Sequence, residues 1–308
     1  SAPMPVLERD PWRLQYFEHV PCPEHVAIPT DDPDCWVLSP AHRWIYDKLK
    51  LAQAQGLDAG PHGVPPVSYP VFSKPIANLK GMGIGSRIIR SAAEMEHHYQ
   101  PGHFWMPLLA GDHVSTDCAV EDGRIAWLRH ARGVPWDEGM FSYWTVHARR
   151  FPELEEGLAA WVASHMQGYT GMMNFETIGG VIIEAHLRFA DQWCDLYGEG
   201  WVEALVRLYD KGRWLFDDER RQDGFSMPLF ARHGGAFHHP PASLQTEIRA
   251  MPQVKSLQVT FHEGKPPEDH AMPPGGFRLA VINTTSLDGA RAARRRLADA
   301  WESGLLLS

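Results

Sequence analysis

The stretch GMMNFETIGGVIIEAHLRF, residues 171–189, constrains this chain more than any other. Its two strongly apolar runs predict an antiparallel hairpin, GMMNFE, then TIGG, then VIIEAHLRF. Yet the runs contain Asn174, Glu176, Glu184, His186 and Arg188. Side chains alternate along a strand, so Glu184, His186 and Arg188 are expected on one face of the return strand, with Glu176 on its partner. A carboxylate buried in such a run without a partner is costly. Two arrangements satisfy that demand. One is a structural Glu–Arg ion pair with His186 in the core; the other is a divalent cation held by the two carboxylates and completed by phosphate oxygens.

The remaining pattern predicts an α+β chain. HVSTDCAV and RIAWLRHARG flank Glu121-Asp122-Gly123 and read as a second hairpin. YPVFSK reads as a strand, and RIIRS as a strand or turn. Helices are expected over 41–55, 92–99, 152–167 and 201–212. The tail predicts strands LQVTF and FRLAVIN and a helix over 287–301, with Ser286 as its N-cap. Residues 1–40 and 213–254 show no sustained period and are expected to be irregular, with room for one strand in the first.

Composition excludes several classes. With 308 residues, 44% hydrophobic and 22% charged, the chain is neither disordered, collagenous nor a coiled coil. A formal net charge of −9 argues against a large nucleic-acid footprint. No apolar run approaches the ~18 residues of a membrane span, and no leader is read at the start. Cys22, Cys35, Cys118 and Cys194 form no C-x-x-C pair and are read as free thiols. A soluble, cytoplasmic protein is therefore expected, without nucleic-acid or membrane partners. The 12 tryptophans leave room for an apolar homodimer interface.

A glycine-rich loop, LKGMGIGS, follows the strand that ends in Lys74. Glycines at alternate positions let backbone N–H groups turn inward around a phosphate, and Lys74 would add charge; a tight hairpin turn explains the same residues. Neither a P-loop nor a dinucleotide fingerprint is present. The 17 histidines show no zinc-ligand spacing, and no G-x-S-x-G occurs.

In combination and in order, these segments resemble the ATP-grasp superfamily over residues 44–300. The matching features are DKLKLAQAQG before PHGVPP, the Lys74-Pro75 strand end, the loop GMGIGS and the following SAAEME. Past the hinge come GDHVSTDCAVEDGR, with His113 where the family has Glu, and the closing NFE and EAHLR, with His186 where it has Asn. The resemblance implies two α+β lobes whose antiparallel sheets clasp the nucleotide. Residues 1–40 would be a vestige of the usual front domain, 41–108 the first lobe with its lid loop, 109–212 the second lobe with the metal site, and 213–308 a C-terminal segment packed on the core.

The implied activity is an ATP-dependent, ADP-forming ligase that activates a small-molecule carboxylate as an acyl phosphate and joins it to an amine. ATP and Mg²⁺, with Mn²⁺ as the alternative, are the implied cofactors. Lys48 and Lys74 would contact the phosphates, Gly81, Gly83, Gly85 and Ser86 would close over them, and Met106, Leu108, Leu109 and His113 would line the nucleotide slot. Glu176, Glu184 and His186 would hold the metal, and Arg188 with Lys74 would act in catalysis, Arg188 through its planar fork. Arg213, Arg232 and His233 would supply substrate contacts. A nucleotide-binding sensor or scaffold of the same fold, without turnover, is the alternative reading.

Overall fold

In the computed structural model, which describes residues 6–301 and 303–308, Asp47 interrupts the helix expected over 41–55. Its carboxylate accepts from the Lys50 amide at 2.9 Å and caps a new helix, Lys48–Gln53, behind a 3-10 turn at Arg43–Tyr46. A short acidic side chain competes with helix continuation by bonding the backbone itself, and here it overrides the apolar period. The break puts Lys48 at a helix start, with its amide on the Ile76 carbonyl at 2.8 Å.

Residues 6–40 are also more ordered than expected. Asp31 accepts from the Asp34 amide at 2.9 Å and caps a helix, Asp32–Leu38, with Pro33 in its first turn. Both are start signals: proline's fixed φ suits the first turn, and a carboxylate satisfies an orphan amide.

The described chain forms two units, each assembled from separate stretches. One comprises Pro29–Leu128 and Pro152–Phe189; the other comprises residues up to Ile28, Arg129–Phe151 and Ala190–Ser308. The first unit holds every candidate residue of the carboxylate hairpin and the glycine loop. Its hairpin strands are Gly171–Ile178 and Val181–His186, and the first also pairs antiparallel with His113–Glu121. Ladder pairing continues through Ile178, so the turn is Gly179-Gly180 rather than four residues. A Cβ at Gly179 would run into the Ala110 carbonyl, and its φ of +57° also favours glycine. The return strand ends at His186, which leaves Arg188 just beyond it.

Alternation divides this sheet. Met173 and Phe175 face a core built with Cys118, Val120 and the buried Leu158, Trp161 and Val162 of the helix Pro152–His165. Asn174, Glu176 and their ladder partners Asp117 and Ser115 take the opposite face. Gln55 anchors the return strand with two bonds to Ile182, Nε2 to the carbonyl at 2.7 Å and Oε1 from the amide at 2.8 Å.

A four-stranded antiparallel sheet completes this unit, ordered Gly60–Pro61, His103–Pro107, Val71–Pro75, Arg87–Ile89. RIIRS is thus a strand, and the helix expected over 92–99 runs Ala92–His97. In the ladder Lys74 pairs with Phe104 and Phe72 with Met106, which puts these four on one face.

In the other unit, the strands Gly224–Ala231, Phe277–Thr284 and Val254–Val259 pair antiparallel, under the helices Ala242–Ala250 and Leu287–Ala298. The expectation that 213–254 is irregular is therefore corrected. Pro228 masked the strand in the sequence, because proline cannot donate to a ladder. It is tolerated because on one side the partner Phe141–Val146 reaches only as far as Ser226 and Leu305–Leu306 begins at Phe230. The helix expected over 201–212 is Trp201–Lys211, and Ser286 caps the last helix by accepting from Gly289 at 3.1 Å. Among the described residues, no helix is long and apolar enough to cross a membrane.

Candidate active site

The site begins with two carboxylates forced together by register. Glu176 and Glu184 are direct ladder partners, with a bulge between Glu176 and Thr177. Burial and the neighbouring Glu184 both push the Glu176 pKa up. Burial also works against the charge on Glu184, but His186 and Lys48 overcome it and hold that carboxylate well below its ordinary range.

Lys48 reaches Glu184 Oε1 at 2.7 Å. Lys74 is buried, donates to the Ile183 carbonyl at 3.0 Å, and lies 5.8 Å from the centre of the Phe104 ring. Burial pulls its pKa down to about 8, with Glu184 opposing and Lys48 adding to the depression. Two cationic side chains thus converge on two facing carboxylates, although only Lys48 is ion-paired with one of them.

His186 stands between two anions. Its Nε2 lies 3.3 Å from Glu184 Oε2, and its Nδ1 lies 3.1 Å from each oxygen of Asp32. Burial opposes its charge, but Asp32 outweighs burial and raises the pKa to about 9. Asp32 is the residue that sequence reasoning missed. Arg188 grips it bidentately, Nε to Oδ1 and Nη2 to Oδ2, both at 3.0 Å. Tyr46 donates to Oδ1 at 2.9 Å and in turn accepts from the Leu187 amide at 3.0 Å. The fork of Arg188, expected to hold a substrate carboxylate, therefore holds one from its own chain. The signal for Asp32 was the Asp-Asp-Pro start of its helix, which fixes the backbone but does not reveal the partner.

Asp32→Ala is expected to destabilise the protein by about 3–5 kcal/mol, because it takes the shared anion from the buried His186 and the part-buried Arg188. Urea unfolding of the variant checks this; a loss under ~1 kcal/mol would show that the network tolerates the gap.

The other candidates are placed as follows. His113 Nε2 is buried without a hydrogen bond, 3.6 Å from Glu176 Oε1. Asn174 is committed to Asp117 at 2.8 Å and Ser115 at 3.0 Å. Gly81, Gly83 and Gly85 all have positive φ, and Ser86 donates its amide to the Gly83 carbonyl at 3.1 Å. A Cβ at Gly85 would come to 3.1 Å from His103 Nε2, a tight fit, and its φ of +79° favours glycine. Gly85 sits beside Pro75 and His103, at the ends of two strands of the four-stranded sheet. Met106 is buried, Leu109 packs with it and Phe104, and Leu108 is exposed. Arg213, Arg232 and His233 belong to the other unit.

The donor set fits a divalent cation. Glu176, Glu184 and His186 each offer one ligand atom within 4.8 Å of the others. A second acidic group, Glu8, Asp10 and Asp191, does not make the same case. Arg13 already lies 2.7 Å from Asp191 and 3.3 Å from Asp10.

No family model matches the sequence, and no curated protein matches it either. Solved structures do match in fold. L-amino acid ligase from Bacillus licheniformis aligns at TM-score 0.56 and 14% identity, over 85% of this chain and 71% of that one. Phosphoribosylamine–glycine ligase from Thermotoga maritima aligns at TM-score 0.58 and 15% identity, over 85% and 78%. N5-carboxyaminoimidazole ribonucleotide synthetase from Thermus thermophilus aligns at TM-score 0.57 and 14% identity, over 97% and 81%. These are ATP-grasp structures, and this chain has the ATP-grasp fold.

Proposed function

We propose that the protein is an ATP-dependent, ADP-forming ligase that joins a small-molecule carboxylate to an amine. The observation that carries this reading is the convergence of Lys48 and Lys74 on the facing carboxylates Glu176 and Glu184, within an ATP-grasp fold. The structural neighbours named above are ligases, two of them named for amino-acid substrates, which supports the reaction class.

In this reading a substrate carboxylate oxygen attacks the γ-phosphorus of ATP, the bond from that phosphorus to the β–γ bridging oxygen breaks, and ADP leaves. The acyl phosphate is then attacked by the amine nitrogen; the C–O bond to phosphate breaks, phosphate leaves and the amine loses a proton. Such transfers depend on positioning and charge neutralisation more than on covalent help from the protein. Lys48 and Lys74 neutralise phosphate charge. The backbone of residues 81–86 covers the phosphates and excludes water, which otherwise hydrolyses the acyl phosphate. Met106, Leu108 and Leu109 line the base, His113 sits at the rim, and Arg188 brings positive charge to the acyl phosphate. Glu176 and Glu184, with His186 beside them, would hold the divalent ion, which would supply positive charge to the phosphates.

One observation favours a second reading, a nucleotide-binding sensor without turnover: the Arg188 fork is taken by Asp32. ADP release measured over a panel of carboxylates and amines separates the two. The ligase reading expects release only when a carboxylate and an amine are both present, with the joined product detected by mass. ATP binding with no ADP from any pair would favour the sensor.

A further inference from the structure

The donors that surround the facing carboxylates are not those a magnesium ion would select. Mg²⁺ favours oxygen ligands and keeps its waters, whereas imidazole suits first-row transition ions. Here one of the three converging donors is a histidine nitrogen. Its orientation is built by its neighbours. Nδ1 lies 3.1 Å from both oxygens of Asp32, and Asp32 is itself fixed by Arg188 and Tyr46. Nε2 faces Glu184, 3.3 Å from Oε2, so a metal ion between them would take the place of the proton that Nε2 shares with that carboxylate. A carboxylate on the far nitrogen is the arrangement that fixes the tautomer and raises the basicity of a metal-bound histidine. A second imidazole nitrogen, His113 Nε2, is buried without a hydrogen bond 3.6 Å from Glu176 Oε1.

We propose that this site takes a first-row transition ion in preference to magnesium, ligated by Glu176, Glu184 and His186 Nε2, with Asp32 as the positioning residue. The proposal rests on the reading of Glu176 and Glu184 as metal ligands. It goes beyond that reading by assigning the selectivity to His186 and the orientation to Asp32.

The probe is Mn²⁺ alone, added to the metal-free full chain and followed by electron paramagnetic resonance, with Mg²⁺ as competitor. Displacement of bound Mn²⁺ is expected only when Mg²⁺ exceeds it at least ~10-fold, about 1.4 kcal/mol of preference. Pulsed measurement on the wild type should show ¹⁴N coupling from an imidazole, a readout that needs no turnover. His186→Asn should lose that coupling and most of the preference. Asp32→Asn should keep the coupling while affinity falls roughly 10–100-fold, the usual effect of removing an outer partner.

Wild-type protein without ¹⁴N coupling, Mg²⁺ competing at equal concentration, or coupling that persists in His186→Asn would each overturn the assignment. The wild-type spectrum stands even if a variant fails to fold. Nucleotide binding, measured separately by calorimetry, keeps the two proposals apart. A nitrogen-coupled ion without nucleotide binding would remove the ligase reading alone. Nucleotide binding with an uncoupled ion would remove this one alone.

Discussion

Replacing Lys74 by methionine should abolish nucleotide binding and, at neutral pH, make the folded protein more stable. The two effects share a cause. Lys74 is buried, with one carbonyl partner and its nearest counter-charges already engaged by Lys48 and His186. A charge-assisted hydrogen bond to phosphate contributes about 1.5–3 kcal/mol, so losing one or two should weaken ATP binding ~100-fold or more.

The same buried charge costs stability, since the folded pKa is pulled down to about 8 against an ordinary 10.5. Below pH 8 both folded and unfolded chains carry the proton and the cost is fully present. As pH rises from 8 towards 10.5 the folded chain releases its proton first, so the cost disappears. Lys74→Met is therefore expected to gain about 1–3 kcal/mol in urea unfolding at about pH 7, with the gain shrinking above about pH 8. Unchanged ATP affinity in the folded variant would remove Lys74 from the phosphate site.

Glu184→Gln should lower divalent-metal affinity by at least ~100-fold, a larger loss than the roughly 10–100-fold typical of an outer partner. Glu184 is the one carboxylate that meets Lys48 at 2.7 Å and His186 at 3.3 Å while also facing Glu176. An amide keeps the shape and loses the charge, leaving Glu176 as the only acidic donor of the set. Mn²⁺ titration of the folded variant reads the loss. Metal affinity within a few-fold of wild type would place the ion elsewhere.

The carboxylate hairpin was legible because its chemistry conflicts with its pattern: charges within apolar strands demand partners, and Glu176, Glu184 and His186 lie on the paired strands, while Arg188 falls just past the strand end. Lys74 was legible from a strand end followed by glycines. What escaped was non-local. Asp32 lies 154 residues from His186 in sequence, and no local pattern ties a helix start near the N-terminus to a strand end. The helix break at Asp47 and the strand through Pro228 were missed for opposite reasons. At Asp47 a local cap overrode a convincing period, and at Pro228 a strand tolerated a breaker because the ladder on one side pauses there. For Arg188 the partner differs from the expected one: the fork expected to meet a substrate meets Asp32.

If the cluster of Lys48, Lys74 and the two carboxylates is a nucleotide site, calorimetric titration of the wild-type protein with ATP in the presence of a divalent ion will show it. Saturable binding is expected at one site per chain, dependent on the divalent ion and lost in Lys74→Met, with a matching rise in stability of about 2.7 kcal/mol at ~100 times the dissociation constant. No heat and no stabilisation at millimolar ATP, with either Mg²⁺ or Mn²⁺ present, would contradict it.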